Sequence, residues 1–97
     1  MKKSKVRERE LEAYLRREAE KRGGSAKKWV SPGNDGVPDR IVFLPNGVVF
    51  FVEMKTPNGV VSNLQKRQIE WLTEMGQHVV VLRTRLEIDK ALDRYMR

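Results

Sequence analysis

Residues 39–55 read DRIVFLPNGVVFFVEMK, from Asp39 to Lys55, and the fold follows from how this stretch divides. Arg40-Ile41-Val42-Phe43-Leu44 and Gly47-Val48-Val49-Phe50-Phe51-Val52-Glu53-Met54 are runs rich in β-branched and aromatic residues. Such side chains suit the pleated surface of a strand. Pro45-Asn46-Gly47 joins the two runs, and an Asn-Gly pair between apolar segments signals a hairpin. Neither run alternates cleanly with polar residues. Near-continuous apolar character predicts burial on both faces, with helices covering the sheet.

Upstream, the chain from Lys5 to about Arg22 reads as a helix. Val6, Leu11, Tyr14, Leu15 and Ala19 recur at helical spacing. Ser4 stands where a cap would start it, and Gly23-Gly24 stops it. Its other side alternates Glu and Arg, the pattern of a solvated face with i,i+4 pairs. Lys27 to Val30 is a short strand, ended by Ser31-Pro32-Gly33-Asn34-Asp35-Gly36. Those six residues are nearly all turn formers, and loops of this kind carry function disproportionately.

Downstream, Thr56-Pro57-Asn58-Gly59 leads to a second helix near Ser62, its expected N-cap. Leu64, Ile69, Leu72 and Met75 make its apolar face, with Trp71 at the edge, and Gly76 ends it. Val79 to Leu82 is another buried strand, and Leu86 to about Tyr95 a final helix. The order α-β-β-β-α-β-α, with a hairpin and then a helical crossover, predicts an α/β fold. The economical arrangement is a mixed four-stranded sheet with helices on both sides. The 97 residues suffice for one domain, spanning 1–97, and not for two. A core this small gains from association.

Composition narrows the function classes. Lys and Arg total 20 against 13 Asp and Glu, a formal charge of +7 that attracts polyanions such as nucleic acid. The absence of cysteine rules out disulfides and thiolate metal sites, and a single His78 rules out a His-rich zinc site. No apolar run approaches the ~20 residues of a membrane span. Met1-Lys2-Lys3-Ser4 leads into a polar helix rather than a signal sequence. A soluble, cytoplasmic protein is expected.

The chemistry gathers at one end of the hairpin. Glu53 and Lys55 are two apart at a strand end and project to the same side. Asp39 lies seven residues before Asn46 and Glu53 seven after it, so the hairpin sets the two carboxylates opposite each other. Glu53 and Lys55 alone would pass for a solvated ion pair. Asp39, behind a Gly-rich loop, changes that reading. Two carboxylates at close range repel unless one protonates or a cation intervenes. Carboxylate oxygens with water suit Mg²⁺ or Mn²⁺, and the Met54 carbonyl offers another oxygen. Such an ion polarises a phosphodiester and activates water, with Lys55 orienting that water or offsetting charge on phosphorus. Lys27, Lys28, Arg40, Lys66 and Arg67 flank the site and are candidates to hold phosphates. Trp29 and Trp71 are candidates for base stacking or for packing, with a dimer contact as a third option for Trp71.

Gly36-Val37-Pro38-Asp39-Arg40 followed by Phe51-Val52-Glu53-Met54-Lys55 resembles the two halves of the PD-(D/E)XK nuclease signature. The short form, with a downstream helix bearing Gln, is similar to the VRR-NUC family, the virus-type replication-repair nucleases. The resemblance runs from about Glu8 to Leu82. It implies a restriction-endonuclease-like core, with Asp39 and Glu53 binding Mg²⁺ or Mn²⁺ and Lys55 assisting water attack. It further implies a Gln on the helix after the Lys strand, Gln65 with Gln68 as the substitute. An N-terminal helix Glu completes such metal sites: Glu8 is the better match and Glu12 the second. The resemblance also implies a viral or phage origin and a homodimer cutting branched DNA such as Holliday junctions. Two alternatives stand beside it: a flap or duplex nuclease of the same fold, and a non-catalytic basic module that binds nucleic acid through charge alone.

Overall fold

The computed structural model describes residues 2–97, with side chains from Arg7 onward, so Val6 of the helical stripe lies outside the described side chains. The elements are α1 (Lys2–Lys21), β1 (Ser25–Lys28), β2 (Arg40–Phe43), β3 (Val49–Met54), α2 (Asn63–Glu74), β4 (Val79–Leu82) and α3 (Arg85–Tyr95). The strands form one sheet in the order β1-β2-β3-β4. The first two pairings are antiparallel and β3 with β4 is parallel. The expected mixed sheet and element order are both present.

Several boundaries differ from the sequence expectation, chiefly in the first two elements. Helix α1 begins at Lys2, so Ser4 lies within it rather than at its start. Strand β1 begins at Ser25 instead of Lys27, because α1 ends abruptly and the chain enters the sheet at once. Gly24 N–H reaches the Ala19 carbonyl at 2.9 Å and Gly23 N–H reaches that of Glu20 at 3.0 Å. This double closure is a Schellman motif, which satisfies orphan carbonyls and reverses the chain.

The hairpin has the anticipated register. Arg40 pairs with Val52, Ile41 with Phe51, Val42 with Phe50 and Phe43 with Val49, so one more step outward sets Asp39 opposite Glu53. Gly47 N–H bonds the Leu44 carbonyl at 3.0 Å, and Leu44 N–H bonds that of Val48 at 2.9 Å. A type I turn followed by a left-handed residue fits this three-residue loop, and Gly47 at φ 88° is that residue.

The two sheet faces differ in cover. On one side Val42, Phe50, Val52, Met54 and Leu82 pack against Leu11, Leu15 and Ala19 of α1 and Ile88 and Leu92 of α3. Each such apolar side chain contributes about 1.5–3 kcal/mol on burial. A polar seam joins the two helices: Tyr14 donates to both Asp89 oxygens at 2.8 and 3.0 Å, and Arg22 bridges Glu18 and Asp93. The hydrogen bond to Asp89 holds the Tyr14 phenol above its usual pKa.

Among the described residues, the opposite face, bearing Ile41, Phe51 and Glu53, has only α2 to cover it. Leu72 alone of α2 is fully buried, whereas Leu64, Trp71 and Met75 stay exposed. The apolar face expected on α2 is therefore half used. One helix cannot span four strands, and Phe43 remains 44% exposed beside it.

Candidate active site

Hairpin register and strand pleat bring Asp39, Glu53 and Lys55 to the end of the sheet, on the α2 face. Asp39 follows buried Pro38 and just precedes β2, where its Oδ2 accepts from Met54 N at 2.8 Å. That bond ties the loop to the end of β3. A residue's N–H and C=O leave an extended strand on the same side. The Met54 carbonyl thus shares the Asp39 side, while its thioether is sunk in the core.

Glu53 is 2% exposed. Its Oε2 receives Gln65 Nε2 at 3.1 Å and lies 3.6 Å from Lys55 Nζ. Its Oε1 is buried with no hydrogen-bond partner among the described residues. Burial, reinforced by the Asp39 carboxylate, pushes the Glu53 carboxyl up to about 8, against the opposing pull of Lys55. A carboxylate placed this way without a full set of partners costs free energy. Such cost at the mouth of a loop makes Glu53 a candidate for ligand binding.

Gln65 is positioned by the start of α2. Ser62 accepts from Gln65 N at 3.1 Å, and Gln65 Oε1 accepts from Ser62 N at 2.9 Å, a complete capping box. The amide oxygen serves the helix and the amide nitrogen serves Glu53. Gln68, one turn on, turns away and donates to the Asp35 carbonyl at 3.3 Å. Gly36 sits against this helix start at φ 85°, and a Cβ there would meet Leu64 at 3.0 Å. Only glycine lets the loop lie so close in that conformation.

Other anticipated residues fall elsewhere. Glu12 binds Arg40 Nε at 3.0 Å, and Arg40 also donates to the Ala26 carbonyl at 3.3 Å. Arg40 is thus turned to the α1 face and engaged there, and Lys28 lines the same groove beside it. Glu8 is half-exposed on α1. No cluster of three or more Asp, Glu, His or Cys forms among the described residues, so neither helix glutamate joins Asp39 and Glu53. Lys27, Lys66 and Arg67 are exposed. His78 is solvent-facing, with its ring 5.4 Å from that of Tyr95.

Arg83 is a positioning residue that sequence reading missed. Its guanidinium donates to the carbonyls of Thr56 and Gly59, pinning the turn that follows Lys55. In the sequence it is one more arginine after a strand. Only its three-carbonyl neighbourhood, which also includes Pro57, distinguishes it.

The donor set suits a hard divalent cation. Glu53 Oε1 is an orphaned buried oxygen, Asp39 spends one oxygen on Met54 and keeps the other, and the Met54 carbonyl lies on their side. Oxygen donors without sulfur or imidazole match Mg²⁺ or Mn²⁺.

Comparison with known proteins follows the same lines. Residues 4–86 match the family model described as the VRR-NUC domain. The chain is 47% identical over 77 residues to the "Putative nuclease p44" of Acyrthosiphon pisum secondary endosymbiont phage 1, covering 79% of this chain and 83% of that protein. A solved structure described as a VRR_NUC domain superposes with a TM-score of 0.84 at 32% identity, covering 92% of this chain and 97% of the other. A second, described as a VRR_NUC domain protein, gives a TM-score of 0.69 at 18% identity and shares the fold.

Proposed function

The chain belongs to the VRR-NUC family, and from that membership we propose that it is a Mg²⁺- or Mn²⁺-dependent DNA endonuclease. Its substrate is branched DNA, such as a four-way junction, in replication, recombination or repair. The observation that carries this reading is Glu53: a buried carboxylate with one oxygen unpartnered among the described residues, beside Asp39 and Lys55.

Asp39, Glu53 and the Met54 carbonyl would hold the ion. When bound, it supplies Lewis acidity toward a phosphodiester oxygen and eases deprotonation of water. Hydrolysis forms a P–O bond from water and breaks the P–O bond to one sugar oxygen, which leaves as a hydroxyl. Lys55 Nζ, 3.6 Å from Glu53 Oε2, orients the attacking water or offsets charge growing on phosphorus. Gln65 fixes the Glu53 carboxylate through Oε2 and leaves Oε1 without a hydrogen-bond partner among the described residues. The charge of +7 draws the polyanion in, with Lys27, Lys66 and Arg67 as candidate phosphate contacts.

A homodimer accompanies this reading, since two centres related by a two-fold axis suit two symmetric strands. The partly open α2 face, with Phe43 44% and Met75 55% exposed, supports association. Sedimentation of the free protein tests it, and a monomer at micromolar concentration would count against it.

The central experiment incubates labelled four-way junction, flap and linear duplex with Mg²⁺, Mn²⁺ or EDTA. Wild type should cut the junction fastest and only with metal, while Asp39→Ala should be inactive and Lys55→Ala slowed on the order of 10²–10³-fold. Cleavage equal in all three proteins, or unchanged in EDTA, overturns the catalytic reading. Equal rates on all three substrates overturn the branched preference alone.

A further inference from the structure

The chain has two tryptophans, Trp29 and Trp71, and both line one cavity of about 390 Å³. Its other walls are Ser31, Asn34, Val37, Arg67 and Gln68. The cavity adjoins the candidate centre on two sides. Trp29 N–H donates to the Asp39 carbonyl at 2.9 Å, so the two residues face each other across β1 and β2. Directly opposed residues of an antiparallel pair project to the same sheet face. The Trp29 indole accordingly lies on the Glu53 side, 5.2 Å from the Phe51 ring and tilted 49° to it. On the other wall, Gln68 and Trp71 follow Gln65 along α2, each one turn after the last.

The lining is matched to a flat, polar-edged, anionically tethered guest. Two indoles offer π-surfaces, and Trp71 keeps 53% of its surface exposed, an unusual placement for a residue that gains so much from burial. Asn34 and Gln68 each already donate from their amide nitrogen, to Ser31 Oγ and the Asp35 carbonyl. Their amide oxygens are thereby left to accept from a ligand edge. Arg67 adds a cation, and among the described residues no carboxylate lines the cavity. The volume lies within the ~300–1,000 Å³ range of small-molecule sites.

We infer that this cavity is a nucleobase pocket, in which an unpaired base of the DNA substrate stacks on Trp29 and Trp71 while its backbone passes over Asp39, Glu53 and Lys55. The inference rests on the DNA reading above and sharpens it. Branched DNA offers unpaired or readily unstacked bases at its junction, and a fully paired duplex does not. Extrusion costs least for a base that lacks a partner. Recognition of the exposed base, rather than of the branch itself, then supplies the structural selectivity.

Because both tryptophans line the pocket, intrinsic fluorescence reads its occupancy directly. Wild-type protein is titrated in EDTA, which prevents cleavage, with two duplexes of the same sequence. One carries a single unpaired nucleotide, and the other an abasic residue at that position with the same backbone charge. The base-bearing duplex should quench the emission and bind about tenfold tighter, the scale of one base–aromatic stack. Trp71→Ala should abolish that difference, and Trp71→Phe, which keeps an aromatic face, should retain part of it. Equal quenching and affinity for the two duplexes overturns the pocket, as does an undiminished difference in Trp71→Ala. Junction cleavage in Mn²⁺ is scored separately. Cleavage without base discrimination refutes the pocket only, and discrimination without cleavage refutes only the nuclease reading.

Discussion

Gln65 and Glu53 are joined by a 3.1 Å hydrogen bond in which the donor is the same amide that closes the capping box of α2. The geometry of the helix start is therefore coupled to the orientation of the buried carboxylate. A small shift of α2 would carry Gln65 away from Glu53 Oε2 and leave that oxygen with Lys55 alone.

This coupling separates two substitutions. Ser62→Ala removes the cap but leaves the Gln65 donor, and should cost about 1 kcal/mol of stability with little change in turnover. Gln65→Ala loses half of the capping box and the Glu53 contact together. It should show a comparable stability loss plus roughly a tenfold fall in turnover, the scale of one hydrogen bond to a charged group. Thermal unfolding and single-turnover cleavage, measured side by side, decide the matter. Equal turnover in the two variants would remove Gln65 from the positioning role.

The pH dependence of the metal-free protein follows from Glu53. Its folded carboxyl titrates at about 8, against 4.5 for an ordinary glutamate, because burial and Asp39 disfavour the charged form. Between those values the folded state keeps a proton that the unfolded state has released. Stability therefore falls as pH rises from about 4.5 to about 8 and levels off above it. Below the lower value both states hold the proton, so the pH dependence ends and the stability kept by protonation is fully present. In EDTA, Glu53→Gln should melt above wild type at pH 8.5 and converge with it near pH 4.5. Parallel melting curves across that range would contradict the assignment.

Metal binding and chemistry should separate by residue. Saturating Mn²⁺ at a hundred times its Kd should raise wild-type stability by about 2.7 kcal/mol, since a ligand of the folded state stabilises by mass action. Asp39→Asn and Glu53→Gln should lose that shift. Lys55→Ala should keep it while cleavage drops on the order of 10²–10³-fold, the scale for one preorganised electrostatic group. Loss of the Mn²⁺ shift in Lys55→Ala would place Lys55 in metal binding instead.

Two arginines that look alike in the sequence should behave differently. Arg40 is about four-fifths buried between Glu12 and the Ala26 carbonyl, whereas Arg67 is exposed at the rim of the tryptophan cavity. Arg40→Ala should lower stability by about 1 kcal/mol and leave the salt dependence of DNA binding unchanged. Arg67→Ala should leave stability alone and reduce the slope of log K against log salt by about 1. Filter binding across a salt series distinguishes them, and a reduced slope in Arg40→Ala would return that residue to the phosphate-contacting set.

What the sequence determined by itself is local and periodic. The two runs around Asn46-Gly47 set a hairpin symmetric about Asn46, and this symmetry alone is enough to oppose Asp39 and Glu53. The order of elements, the Ser62 cap and the spacing of Lys55 from Glu53 follow from rules that act over a few residues. Tertiary structure decided what depends on residues distant in the chain. The depth of Glu53 and the isolation of its Oε1 arise from packing around the sheet end, which no spacing encodes. The choice of Gln65 over Gln68 rests on where the first turn of α2 meets β3. Arg40 was spoken for by Glu12 once α1 crossed the sheet, and Trp29 and Trp71 came to line one cavity only when α2 folded over the face beside Asp39. Periodicity reports which face a side chain takes; the partners it meets there, and the protonation they impose, are properties of the assembled fold.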